Sequence, residues 1–286
     1  MKYRKSTVII LMIVAIIIAI YVLFPFFLVL LNSFKTQSAI VADPISTAGA
    51  SFSQFGANLT SVINNKNFVF WRAFGCSALV TVISLVLLAV FGGMAAWVIC
   101  RNKTKWSTAI YMVFIASMII PFQVVMLPLI ATFREVGNFV GLAMNGSLPG
   151  LIFAYCGFGG AMTVFILTGM VKTVPYDLEE AASIDGCSYE GIYFRIILPL
   201  LKPSIVTVTI LNGMWIWNDY LLPSILLGQS SANKTLPVAV QAFVGSFVKS
   251  WDLILTAALL AIIPMIVIFL IAQKQIMSGM VEGAVK

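Results

Sequence analysis

From Val8 to Leu31 every residue but Tyr21 is apolar, and no charged side chain falls between Lys5 and Lys35. A run of this length matches the ~20 residues that a helix needs to cross the hydrocarbon core of a bilayer. Inside lipid the backbone has no water to bond, so such a run must satisfy its amides within itself, as a helix. Uncharged stretches of similar length recur along the chain, and 61% hydrophobic against 9% charged residues excludes a water-soluble globular protein. The spans of a β-barrel would instead alternate over units of about ten residues. The reading is an all-α, polytopic membrane protein with six transmembrane helices, at 7–31, 73–100, 108–130, 151–171, 204–227 and 253–273.

Residues 1–31 then form the N-terminus and first helix, 32–72 an extracytoplasmic loop, and 73–286 a core of five further helices with a cytoplasmic loop at 172–202 and a tail at 274–286. The first run follows the basic cluster Lys2, Arg4 and Lys5, is longer than a signal-peptide core and lacks a small-residue cleavage site, so it reads as an uncleaved anchor. A tight turn, Arg101 to Lys105, joins the second and third spans, and the Gly- and Asn-rich stretch 134–149 reads as a loop. With the N-terminus cytoplasmic, only Lys35, Lys66, Arg72, Arg134, Lys234 and Lys249 of the 17 basic residues fall outside. That bias places both termini inside.

Several functions are excluded. The chain has no histidine, the commonest general base and transition-metal ligand, so no catalytic and no metal-binding residue is expected. Cys76, Cys100, Cys156 and Cys187 have no paired spacing and read as packing residues. The net charge of +7 belongs to the orienting loops, and no basic patch interleaved with aromatics points to nucleic acid.

Five of the ten acidic residues, Asp177, Glu179, Glu180, Asp185 and Glu190, gather in the one loop after the fourth span. Local chemistry there spells a helix: Pro175 suits the first helical position, Asp177, Glu179 and Glu180 complement the N-terminal dipole, and Gly186 can end it in a left-handed conformation. A second short helix from Ser188 should end before Pro199. A helix lying on an anionic leaflet would be basic, whereas this one would be repelled. Leu178, Ala181, Ala182 and Asp185 share a face at helical spacing. Either this is a solvated charged helix, or it docks into a groove of a cytoplasmic protein.

The loop resembles the cytoplasmic signature of permease subunits of binding-protein-dependent ATP-binding cassette importers: Glu-Ala-Ala, three residues, Gly, nine residues, Ile, one residue, Leu-Pro. Glu180, Ala181, Ala182, Gly186, Ile196, Leu198 and Pro199 fall on every position. The resemblance implies a type I importer permease fold with this segment as a coupling helix seated in a separate ATPase. Glu180 would then face basic residues, Ala181 and Ala182 would permit close contact, Gly186 would make the turn, and Glu179, Asp185, Ile196, Leu198 and Pro199 would belong to the same coupling segment. The chain lacks a G-x-x-x-x-G-K-[ST] phosphate loop, so it is not itself the ATPase. ATP and magnesium would belong to a partner ATPase dimer, and this chain would carry no cofactor.

Three further stretches are similar to the carbohydrate-uptake branch, of the maltose-transporter MalG type: Pro121 to Pro128, Trp217 to Pro223 with Lys234 to Val238 after it, and the tail from Gln273. The likeness implies binding-protein contacts at Lys234, Thr235, Leu236, Pro237 and Val238, and ATPase contacts in the tail at Gly279, Met280, Glu282 and Gly283. It also implies a second, MalF-like permease subunit and an extracytoplasmic solute-binding protein, in the plasma (inner) membrane of a prokaryote. Asp219 is the only carboxylate within an expected span, where a central charge would cost about 3 kcal/mol. Either Asn218 and Asp219 lie at the hydrated outer end and bond a neighbouring helix, or they join Gln123, Trp217 and Tyr220 in lining a pathway or gate. Pro121 and Pro128 bend the third span, and Gly157, Gly159 and Gly160 permit close packing in the fourth.

No Lys or Arg lies deep within any expected span, which favours a neutral solute such as a sugar over an anion. Trp215, Trp217 and Tyr220 suit either stacking on sugar rings or an interfacial aromatic belt. The competing readings are an importer of glycerol-phosphate or peptide, and an ion-coupled secondary transporter centred on Asp219.

Overall fold

The computed structural model describes residues 5–66, 68–228, 232–244 and 250–284; Lys2, Arg4, Lys249, Val285 and Lys286, which the charge count or the tail reading uses, lie outside them. Helices account for every regular element among the described residues. They are α1 (Lys5–Ser33), α2 (Gln37–Ala42), α3 (Phe52–Ile63), α4 (Phe70–Arg101), α5 (Lys105–Ile119), α6 (Phe122–Val140), α7 (Leu148–Val171), α8 (Asp177–Ile184), α9 (Tyr189–Leu200), α10 (Lys202–Asn218), α11 (Leu221–Leu226), α12 (Leu236–Ala239) and α13 (Trp251–Ala284). Four are long and apolar enough to span a bilayer: α1, α4, α7 and the Trp251–Leu270 part of α13. The pairs α5 with α6 and α9 with α10 pass the same test only together, bent by 111° and 76°. Six spans result when each bent pair counts as one.

Two compact units divide the chain: Met1–Trp71 with Ala239–Pro264, and Arg72–Val238 with Met265–Lys286. In the first, α1 exposes its apolar residues from Val8 to Leu23, as a helix bathed in lipid does. After it the chain folds around a fully buried Lys35, whose ammonium donates to the Asp43 carbonyl at 2.9 Å. Asn58 donates to the carbonyls of Ser33 and Lys35 at 2.9 and 3.0 Å, and Phe34 stacks on Phe55. Thr36 and Ser51 cap α2 and α3 with their hydroxyls. The stretch read as a loop is therefore built on two capped helices. The backbone N–H groups of Ser46 and Ile45 hold the Asp43 carboxyl below the usual carboxylate range.

In the second unit α7 is the central helix: 13 of its 24 residues are buried, and α4, α5 and α10 pack against it. Lipid gives helices no hydrophobic drive to associate, so contact comes from close approach and polar bonds. Asn212 of α10 donates to the Thr163 hydroxyl of α7 at 3.1 Å, and a Cβ on Gly159 would stand 2.8 Å from Asn212 Oδ1 and from Leu88. Of the three glycines read as packing residues, only Gly159 has such a neighbour; Gly157 and Gly160 face open space.

Five boundaries differ from the sequence reading. The third span is not a kinked rod over 108–130. Pro121 drives Ile120 into an extended conformation (φ −77°, ψ 116°), α5 stops at Ile119, and a separate α6 sets off at 111°. Pro128 sits inside α6 without ending it, and the helix continues through Arg134 to Val140, where Gly141 (φ +70°) caps it. The loop expected over 134–149 shrinks accordingly. The fifth span breaks at Asp219, whose ψ of 126° leaves the helix, before the short α11. The helix from Tyr189 does not end before Pro199. It widens into a π-turn over Tyr193–Ile197, where the Leu198 N–H bonds the Tyr193 carbonyl, and so passes the proline. Finally, α13 runs beyond Gln273 into the tail, to Ala284.

Candidate functional site: the docking loop

α7 ends at Val171, and a turn over Lys172 to Tyr176 leads into α8. Asp177, Glu179 and Glu180 occupy its first turn, where the exposed N–H groups and the dipole favour negative charge. Its end is a Schellman motif: the Cys187 N–H bonds the Ala182 carbonyl at 2.9 Å and the Gly186 N–H bonds Ser183 at 3.1 Å. Gly186 holds φ at +79°, which a side chain would strain, although the space around its Cα is open. Ser188 then caps α9.

Glu179 faces inward and is 6% exposed. Its carboxylate accepts from the Trp97 indole N–H at 2.9 Å and from Arg101 at 2.7 Å, both at the end of α4. Arg101 also donates to the Val174 carbonyl at 2.9 Å and lies over the Tyr176 ring. One guanidinium therefore holds both the turn before α8 and α8 itself. Trp97 in turn packs on Tyr189 and Tyr193, and the Tyr193 hydroxyl donates to the Val90 carbonyl, which lies in a π-turn of α4 at Leu88–Gly92. Ala182 joins this buried cluster with Val171, Val174 and Ile197. The outward face carries Asp177, Leu178, Glu180, Ala181, Ile184 and Asp185, with Ile184 86% exposed. Beside it a recess of about 540 Å³ opens between α8 and the end of α4, lined by Arg101, Tyr176, Glu180 and Tyr189 among others. Ile196 is half-buried in the π-turn, and Leu198 and Pro199 follow it.

The residues considered for the pathway lie elsewhere in this unit. Asp219 caps the break between α10 and α11: one oxygen accepts from the Leu221 N–H at 2.9 Å, the other from the Tyr155 hydroxyl of α7 at 3.0 Å. Trp217 is buried with its ring edge-on to Phe74, whereas Asn218 is exposed and turns back to the Met214 carbonyl. Tyr220 is half-buried, and Gln123 is exposed in the first turn of α6. The structure thus joins Asp219 to Tyr155 and leaves Gln123 apart.

Residues 89–281 match the family described as the binding-protein-dependent transport system inner membrane component. The chain belongs to this family. As a member of it the chain is a multi-pass inner membrane component of a transport system. It is 39% identical over 262 residues, 92% of this chain and 91% of that protein, to the probable starch degradation products transport system permease protein AmyC of Thermoanaerobacterium thermosulfurigenes. To the melibiose/raffinose/stachyose import permease protein MelC of Bacillus subtilis it is 34% identical over 284 residues, 99% and 98% of the two chains. Its fold is similar, with a TM-score of 0.77 at 20% identity over 96% of this chain and 99% of the other, to that of a chain in a bacterial ABC transporter involved in alginate import.

In this permease the remaining expected contacts divide by burial. Of Lys234 to Val238, Thr235, Leu236 and Val238 are buried, and the Leu236 N–H donates to the Ser77 hydroxyl at 2.7 Å; Lys234 and Pro237 are half-exposed. Gly279, Met280, Glu282 and Gly283 lie within α13. Sequence reasoning missed Trp97, Arg101, Tyr155 and Tyr193. The spacing of Trp97 and Arg101, one helical turn apart before a basic turn, was the one available signal, but their carboxylate partner lies 82 and 78 residues away.

Proposed function

We propose that the chain is one of two permease subunits of an importer that takes up a sugar or oligosaccharide. An extracytoplasmic protein delivers the solute, and an ATPase dimer binding ATP and magnesium supplies the energy. The names of the relatives in starch-product and raffinose-type uptake support the cargo class. In this reading both termini are cytoplasmic, in the plasma membrane of a prokaryote, and the second permease completes the pathway.

The observation that carries the proposal is the construction of the docking loop. α8 is rigidly tied to the end of α4 through Glu179, Arg101 and Trp97, while its opposite face presents exposed Leu178, Ala181 and Ile184 among carboxylates. An apolar, acidic ridge held firmly on a membrane bundle suits a groove in another protein. A rigid tie lets closure of an ATPase pair move the spans rather than only the loop. Glu180 and Asp185 supply charge at the contact, and the half-exposed Lys234 and Pro237 are the positions open to the binding protein. The tail in α13 is the second ATPase contact.

Co-purification of the full assembly and uptake assays in proteoliposomes test this. Uptake should require the binding protein, ATP and a saccharide, and should fall with Gly186→Val. Uptake that persists without ATP but collapses with an ion gradient would overturn the reading, and selective uptake of a peptide or glycerol-phosphate would overturn the cargo.

A further inference from the structure

At the same end of the second unit as the docking loop, a cleft of about 440 Å³ lies between the α4–α5 turn, the first turns of α5 and the last turn of α7. Lys103, Lys105 and Lys172 edge it, and no Asp or Glu lines it. Arg101 beside it is turned the other way, into its pair with Glu179. The three lysines have no ion pair among the described residues. Gathering like charges at a membrane surface is unfavourable unless an anion joins them.

A second, independent observation points to the same ligand. Thr168 lines the cleft, is 2% exposed, and its buried hydroxyl has no hydrogen-bond partner among the described residues. A helical threonine ordinarily turns its hydroxyl to the carbonyl four residues back, as Thr163 does to Gly159 at 2.8 Å. Thr168 leaves that bond unmade, and buried polar groups are rarely left so. The cleft also receives the start of α5, 15 residues long; the Thr104 hydroxyl takes the Ser107 N–H, and the N–H groups of the residues before it have no partner within the helix. Ile99 and Cys100, from the last turn of the spanning helix α4, form an apolar wall.

We propose that this cleft binds the phosphate of an anionic phospholipid. The lysines supply charge, Thr168 donates its hydroxyl, and the acyl chains follow the apolar wall. Because Lys172 opens the docking loop, bound lipid would tie the α4–α5 turn to the root of α8. Lipid binding at this cleft is independent of the cargo.

The test uses the full-length chain, purified, delipidated and offered phosphatidylglycerol or phosphatidylcholine in mixed micelles, or inorganic phosphate, with retained lipid counted by native mass spectrometry. Phosphatidylglycerol should be retained about tenfold over phosphatidylcholine, and Lys103→Gln with Lys172→Gln should cut that retention about tenfold or more. Thr168→Val should also weaken retention, without lowering the melting temperature of the lipid-free protein. Lys66→Gln, in the other unit, should change nothing. Equal retention of the two lipids, or lipid retention unchanged in the variants, overturns the site. Competition by inorganic phosphate as effective as by the lipid overturns the lipid as its source. A lower lipid-free melting temperature in Thr168→Val would show the hydroxyl engaged within the chain, and that too overturns the site.

Discussion

Glu179 carries a charge into a nearly dry site, where its two partners leave it no need of water. Removing one member of such a pair strands the other, at a cost of about 3–5 kcal/mol for a buried pair. Glu179→Ala should therefore destabilise the loop by several kcal/mol, leaving the Arg101 guanidinium and the Trp97 N–H facing a cavity. Glu179→Gln keeps the shape and the acceptor and should cost less. Thermal unfolding of the two variants gives the comparison, and equal stability of Glu179→Ala and the parent would sink the clamp. Gly186 acts through its backbone alone. At φ +79° a β-branched residue should cost about 1–2 kcal/mol or more, whereas asparagine adopts that conformation readily. ATP-driven uptake should fall in the order Gly186, Asn, Val; a steep loss already with asparagine would mean that side-chain volume at a partner contact, not φ, is what matters there.

At the scale of elements, α9 passes Pro199 by giving up α-helical register. The π-turn over Tyr193–Ile197 adds a residue to one turn and rotates what precedes it, which brings the Tyr193 hydroxyl to Val90. With Pro199→Ala the α register becomes available, and the turn should tighten, pulling Tyr193 from both Val90 and Trp97. Trp97 emission should report the change, and an unchanged spectrum would show that packing rather than proline sets the π-turn. This element also marks what a sequence can and cannot disclose. α8 is legible because its acidic first turn, its Gly186 terminus and its motif are all local. The Trp97–Glu179–Arg101 clamp is not, because it joins residues about eighty apart. Pro121 was a visible signal, yet a hydrophobic run reports length and not direction, so a 111° break and a gentle kink read alike. The folded stretch after α1 was hidden for a similar reason: buried Lys35 looks like any loop lysine until the Asp43 carbonyl meets it.

For the whole molecule the charge distribution makes a statement about direction that the helices alone do not. The docking loop, the α4–α5 turn and the cleft between them all lie at one end of the second unit. If the ATPase binds there, that end must face the cytoplasm, and Lys103 must be shielded from outside. Four free cysteines complicate a labelling test, since Cys100 and Cys187 are partly exposed at this same end. In a background with all four replaced by alanine, Lys103→Cys in intact cells should resist a membrane-impermeant maleimide and react once the membrane is opened. Lys66→Cys, from an exposed position on the other side of the expected topology, should react at once. The two sites must answer oppositely. Should Lys103→Cys label from outside, the acidic face of α8 would lie away from every ATPase, and neither the clamp on Glu179 nor the turn at Gly186 could couple hydrolysis to transport.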